Sequence, residues 1–195
     1  LSQPLRLFAV WEGGLASHGG AIAILIALYF FARKTNVKYL WIVDRLVIVS
    51  ALSGCLIRLG NLMNSGMIGI PTSLSWGFVF TRVDNIPRHP AQLYEAIYCF
   101  FLFVLLFGMY YKKGKSLNNG ILTGLFLIIL FSLRFVDEFF KINQEAFEDG
   151  LLFNMGQLLS VPFVIAGIVI LLISSRNKSA GDIESVPSTN RGTHA

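Results

Sequence analysis

The stretch SGCLIRLGNLMNSGMIGIP, residues 53–71, decides how this chain is read. It closes an apolar run that begins at Leu40, then sets Arg58, Asn61 and Asn64 three residues apart, with Gly60, Gly66 and Gly69 among them. Residues spaced by three share one face of a helix. An apolar helix therefore ends in a guanidinium and two carboxamides on one side, and lipid can solvate none of them.

The composition places that helix in a membrane. The chain is 54% apolar and only 14% charged, with 17 Phe, and its mean hydropathy is +0.64. A soluble domain carries about 25% charged residues, so a soluble globular fold is excluded. Apolar spans run over 13–32, 40–57, 93–111, 117–133 and 156–173. Each approaches the roughly 20 residues that cross a hydrocarbon core. Lipid cannot satisfy exposed backbone groups, and no period-two pattern supports a barrel, so the spans are helices. The expectation is an all-α, polytopic membrane helical bundle of five spans, forming one domain over 1–173. The stretch 174–195 is polar and rich in Ser, Gly and Asn, and reads as a disordered tail. The first residue is Leu, so a longer gene product is expected. Cys55 and Cys99 lie inside apolar runs and read as buried small hydrophobes rather than a disulfide.

Basic residues orient the bundle. Arg33, Lys34 and Lys38 fill the first link, Lys112, Lys113 and Lys115 the third, and Arg176 and Lys178 follow the last span. All fall on one side if every span crosses once, and the positive-inside rule makes that side cytoplasmic. The net charge of +5 is thus a topology signal and not a nucleic-acid surface. The outer side receives residues 1–12, an interfacial segment, together with 58–92 and 134–155 as a small periplasmic head. SWGFVFTRV, residues 75–83, is expected to supply a short strand or ribbon there.

Polar residues gather on that outer side from every span. His18 lies at the outer end of span one, near its start. Arg58, Asn61 and Asn64 lie just beyond span two. Arg88, His89, Gln92, Tyr94 and Glu95 open span three. Arg134 and Glu138 follow span four, and Gly156 and Gln157 open span five. Ionisable groups at a membrane boundary are costly unless paired, snorkelling or used. Pro90 suits a first helical turn and sets Arg88 and His89 near a helix N-terminus, where anions are attracted. Arg134 and Glu138 are four apart and placed to pair. Converging arginines with amide donors make a site for a phosphate or carboxylate. Taken singly, each residue has a plainer reading: Arg58 snorkels, His18 and the glycines pack helices, the asparagines bond across helices, Tyr94 joins an aromatic belt and Gln157 caps a helix. Their coincidence at one depth favours a site. No spacing for a metal, a Walker loop or a nucleophile elbow is present.

Five segments, in order, carry a resemblance: WEGGLASHGG, IRLGNLMNSG, RHPAQLYEA, LRFVDEFF and MGQLLSVPFVIAG. Together they resemble the bacterial phosphatidylglycerol–prolipoprotein diacylglyceryl transferase family over residues 7–168. The resemblance implies an inner-membrane enzyme of seven helices whose active face is periplasmic. Such an enzyme moves the diacylglyceryl group of phosphatidylglycerol onto the lipobox cysteine of a prolipoprotein, forming a thioether and releasing glycerol phosphate, with no metal or cofactor. It implies Arg58 and Arg134 as the essential arginines, His18 as the histidine of a His-Gly-Gly motif and a candidate proton acceptor, Asn61 as the asparagine of an Arg-x-Gly-Asn motif containing Gly60, and Glu138 as an acidic residue orienting Arg134. Asn64, Arg88, His89, Gln92, Tyr94, Glu95 and Gln157 complete the expected substrate-binding set. Two departures stand out: about two spans of the family pattern are absent, and Gly66 stands where the family carries an acid. A divergent anionic-lipid binder without transfer, and a small anion or lipid transporter, are the alternatives; the apolar middles of spans four and five argue against the transporter.

Overall fold

The computed structural model describes residues 16–114, 116–141 and 154–176, and the backbone alone for 16–19, 21, 22 and 155. The expected interfacial segment 1–12, Lys115, most of the outer segment 134–155 and the tail beyond 176 lie outside the described residues. Among these residues the helices are α1 (Ala16–Thr35), α2 (Tyr39–Met63), α3 (Ala91–Lys113), α4 (Ile121–Asp137) and α5 (Met155–Arg176). A turn of 3₁₀ helix, Glu138–Phe140, follows α4. Tyr39–Met63, Ala91–Lys113 and Gly156–Arg176 are long and apolar enough to cross a membrane.

The helices pack as two tight pairs, α2 with α3 and α4 with α5, joined through α3–α4 and α2–α4 contacts, while α1 leans on α2. Val43, Val47, Ile48 and Ala51 of α2 meet Leu102 and Leu106 of α3 and Leu122 of α4. A second cluster, Cys55, Ala96 and Cys99, continues the α2–α3 seam, and both cysteines are free and buried as expected. Between α4 and α5 the approach is closer still. A Cβ on Gly124 would lie 3.0 Å from the Gly167 carbonyl oxygen, and one on Gly167 2.9 Å from that of Gly124. Backbone-to-backbone packing of this kind replaces the hydrophobic drive that lipid cannot supply. Phe131 and Phe163 stack above it with centroids 4.3 Å apart. The outward faces are apolar, with Phe30, Leu56, Ile57 and Phe101 more than half exposed, whereas the interior holds Asp44, Gln92, Glu95, Asp137, Glu138 and Lys141. Apolar surface around a partly polar interior suits a lipid surround.

The two ends of the bundle differ chemically. At one end Asp44, buried near the start of α2, accepts from Gly120 N at 2.6 Å, Thr123 N at 2.8 Å and Thr123 Oγ1 at 2.6 Å, so it caps α4 from across the interface. Gly120 has φ +100° and a Cβ there would sit 2.3 Å from Ser174 Oγ, which leaves glycine as the residue that fits. This cap explains why α4 begins at Ile121 and not at 117 as its hydropathy predicts. Asn118 Nδ2 donates to Ser174 O at 2.8 Å, tying the end of α5 to the same corner. Arg33, Lys34, Lys112, Lys113 and Arg176 occupy the last turns of α1, α3 and α5 around it.

At the other end, α2 runs to Met63, so Arg58 and Asn61 sit within its last two turns and not beyond them as the sequence predicts. The helix stops in a Schellman motif: Gly66 N bonds Asn61 O at 2.9 Å, Ser65 N bonds Leu62 O at 3.2 Å, and Ser65 takes the left-handed φ of 54°. The chain then forms a small head. Strand β1 (Phe78–Val79) pairs antiparallel with β2 (Pro87–Arg88), bearing out the expected ribbon. Isolated bridges join Gly69 to Lys141 and Pro71 to Arg88. Pro90 is the N-cap of α3, one position before its first turn.

Candidate active site

The polar end of the bundle is built around Glu95, in the first turns of α3 and 2% exposed. Its Oε2 pairs with Arg58 Nε of α2, and its Oε1 pairs with Lys141 Nζ, which follows the 3₁₀ turn. Lys141 Nζ also lies 3.3 Å from Asp137 Oδ2 and 3.3 Å from Glu138 Oε2. Three carboxylates thus meet two cations in a space almost closed to solvent: the side chains of Glu95 and Lys141 are each 3% exposed, and Arg58 is 17% exposed. Removing one partner of such a set leaves an uncompensated buried charge.

Arg58 keeps part of its guanidinium for other work. Its Nη1 lies 3.0 Å from Met67 Sδ, and Asn61 Nδ2 lies 4.0 Å from the same sulfur. A thioether is a weak acceptor, so both donors face a partner that a stronger acceptor would displace. Gln92, fully buried in the first turn of α3, donates through Nε2 to Gly66 O and pins the loop after α2. Gly60 and Asn64 are exposed on the last turns of α2.

Arg134 sits half-buried on the last turn of α4, and among the described residues its guanidinium has no hydrogen-bond or ion-pair partner. The sequence spacing places Glu138 to pair with it; the structure turns Glu138 to Lys141 instead. The backbone register is kept, Glu138 N–H bonding Arg134 O, but the 3₁₀ turn that begins at Glu138 brings Lys141 back three residues later, its N–H on Glu138 O and its ammonium on the Glu138 carboxylate. The Glu138 carboxylate lies against the start of α5, where a Cβ on Gly156 would come within 2.6 Å of Glu138 Cδ. Gln157 forms a reciprocal cap with Asn154, Gln157 N bonding Asn154 Oδ1 at 3.1 Å and Asn154 N bonding Gln157 Oε1 at 3.2 Å. Its Nε2 reaches Phe135 O at 3.4 Å, which joins the start of α5 to the end of α4 beside Arg134.

The remaining expected residues belong to the head. Arg88 Nε donates to Asp84 Oδ2 at 3.1 Å and Nη1 to Gly69 O at 3.4 Å. The Arg88 hydrogen bond, with help from Ile86 N–H, holds the Asp84 carboxyl below the usual range. Arg88 therefore braces the ribbon, its guanidinium engaged by Asp84 and the Gly69 carbonyl. His89 is buried, its ring 5.2 Å from that of Phe140 and its Nδ1 3.2 Å from Tyr94 Oη. Trp76 Nε1, which can only donate, reaches Tyr94 Oη at 3.1 Å. The Tyr94 hydrogen is then free to serve His89 Nδ1. His18 falls in the first turn of α1, and its side chain lies outside the described residues.

Lys141, Asp137 and Met67 are the site residues that sequence reading passed over. A signal for Lys141 existed: a lysine four residues after Asp137 and three after Glu138, on the side where orientation needs no positive charge.

An apolar helical bundle with a buried carboxylate–cation network and two arginines at one end defines an all-α membrane protein. The family model described as prolipoprotein diacylglyceryl transferase matches residues 1–173, and the chain belongs to that family. It is similar to proteins named phosphatidylglycerol–prolipoprotein diacylglyceryl transferase from Tolumonas auensis, 53% identical over 92% of this chain and 69% of that protein, and from Bacteroides fragilis, 48% identical over 85% of this chain and 60% of that protein. A relative of the same name from Chloroherpeton thalassium is 46% identical over 89% of this chain and 65% of its own length. The chain thus spans about two thirds of the length of these relatives.

Proposed function

We propose that this chain carries the transfer site of a phosphatidylglycerol–prolipoprotein diacylglyceryl transferase. The lipobox thiol attacks the diacylglyceryl carbon bonded to the phosphate oxygen. A C–S bond forms, the C–O bond breaks, glycerol phosphate leaves with the bonding pair, and the thiol proton passes to a base. Negative charge grows on the phosphate as the bond breaks, so donors fixed around it lower the barrier. Arg58, held by Glu95 and facing only a thioether, and Arg134, without a partner among the described residues, are the groups proposed to take that charge. The Arg134 guanidinium at the polar end of the bundle, without a hydrogen-bond or ion-pair partner among the described residues, is the observation that carries the reading. Asn61, Asn64, Gly60 and Gln157 are proposed to line the headgroup, and Arg88, His89, Gln92 and Tyr94 to hold the head against it. His18 is proposed as the proton acceptor, because a neutral imidazole is suited to take a thiol proton near neutral pH and the other imidazole of the set, His89, is buried against Tyr94 Oη. Residues 1–173 form the proposed membrane domain, with 58–92 and 134–155 on its outer face. The polar end faces the periplasm and the basic end the cytoplasm of a bacterial inner membrane.

The test is thioether lipidation of a lipobox peptide by the full-length gene product in phosphatidylglycerol vesicles. Lipidated peptide and free glycerol phosphate in equal amounts are expected; peptide left unmodified while the protein is folded would overturn the reading. Orientation is checked separately by cysteine labelling in intact cells. Cysteines replacing exposed Lys34 and Lys112 are expected to resist an impermeant thiol reagent, and one replacing exposed Ser73 to react, against a low background because Cys55 and Cys99 are buried. Labelling at Lys112→Cys in sealed cells would reverse the topology.

Gly66 favours a second reading, a homologue that binds anionic lipid without transfer. The structure shows that the backbone does not require glycine there. Gly66 has no left-handed φ, the left-handed residues being Ser65 and Met67 on either side, and a Cβ would meet Asn61 O at an ordinary 3.8 Å. Gly66→Glu is therefore expected to fold normally and to raise the lipidation rate. A folded Gly66→Glu protein with a rate unchanged or lower would show that no acid is needed there.

A further inference from the structure

The two oxygens of Glu95 are divided between two cations, Oε2 to Arg58 Nε and Oε1 to Lys141 Nζ. That division matters because a carboxylate left to itself takes an arginine bidentately, through two parallel N–H···O bonds. Here Glu95 meets the Nε edge of Arg58, while Nη1 faces the weak acceptor Met67 Sδ. Lys141 is held for this task from both directions. Its backbone bridges to Gly69, Ile70 N bonds Phe140 O at 2.9 Å, and its ammonium is steadied by Asp137 and Glu138 at 3.3 Å each. The same ladder joins it to the loop that follows the Arg58 helix.

We propose that Lys141 is a positioning residue: by holding one oxygen of Glu95 it confines that carboxylate to the Nε edge of Arg58 and leaves the Nη edge for the phosphate of an anionic lipid headgroup. This rests on the reading of Arg58 as a phosphate ligand. Without Lys141, the freed Oε1 turns onto Arg58 and occupies the donor the headgroup needs, and the carboxylates of Asp137 and Glu138 lose their cation. With Glu95 also neutral, the competition ends but the orientation of Arg58 is lost. Binding and turnover therefore separate.

The experiment uses the full-length gene product in phosphatidylcholine nanodiscs titrated with phosphatidylglycerol, with lipidation of a lipobox peptide as a second readout. Lys141→Gln is expected to weaken phosphatidylglycerol binding by about ten- to a hundredfold, the loss of one charge-assisted hydrogen bond. Lys141→Arg is expected to keep both binding and turnover. The double variant Lys141→Gln with Glu95→Gln is expected to regain binding but not turnover. Wild-type binding by Lys141→Gln, or a double variant that binds no better than the single one, overturns the inference. If Lys141→Gln does not accumulate, the comparison passes to the other two variants: both must bind, and Lys141→Arg alone must turn over. A wild type that binds phosphatidylglycerol yet lipidates nothing would remove the transferase reading, and the binding comparison would still decide the role of Lys141.

Discussion

Arg58→Lys and Arg134→Lys are each expected to insert and accumulate like the wild type and to lipidate a lipobox peptide about 10²–10³-fold more slowly, the usual loss when one preorganised donor to a developing anion is removed. Lysine keeps the charge, so simple attraction of an anionic headgroup survives. What it loses is the planar fork that meets two phosphate oxygens at once. At Arg58 a second loss adds to the first, because the three N–H groups of an ammonium diverge from one nitrogen and cannot bond Glu95 while presenting two parallel, coplanar donors to a phosphate. At Arg134 no carboxylate among the described residues depends on the side chain, so its replacement leaves the buried network intact and the effect falls on turnover. Lys112→Gln, on an exposed lysine at the basic end, is the control and is expected to keep its rate. Wild-type turnover in both arginine variants would leave snorkelling as the sufficient account of these residues.

Gly69→Ala is expected to abolish transfer and to lower the thermal stability of the head, although Gly69 lies on no helix. Gly69 N bonds His89 O at 3.1 Å, and Gly69 bridges to Lys141 across the other side. A Cβ on Gly69 would fall 2.4 Å from His89 O and 2.7 Å from Phe140 O, both backbone atoms that cannot swing aside as a side chain can. Its φ is not left-handed, so the demand is for close approach and not for an unusual conformation. Overpacking costs about 1–3 kcal/mol where side chains can give, and backbone gives less. The strands would part, moving His89 from Tyr94 and Lys141 from Glu95 together. Lipidation and thermal unfolding of Gly69→Ala measure the two effects; a variant that keeps both would mean that the ladder is not needed.

The helices were legible because the apolar runs are long and the alternatives in lipid are few. The polar end of the bundle was legible too, since charges stand out against Leu, Ile and Phe: Arg58, Arg134 and Glu138 were singled out on that ground. Helix ends were less so. The stop of α2 depends on Ser65 adopting a left-handed turn, and the start of α4 on an aspartate 76 residues away in the chain from Gly120. Neither is visible in hydropathy.

By itself the sequence determined the class, the basic and polar ends, and which helices bring chemistry to the polar end, because lipid enforces these through local composition. The tertiary structure alone decided who pairs with whom. Spacing placed Glu138 to pair with Arg134, but its carboxylate pairs with Lys141; convergence set Arg88 among the arginines, but its guanidinium pairs with Asp84 in the head. Buried charges choose partners by distance in three dimensions, and at low dielectric a difference of an ångström or two outweighs any preference written along the chain.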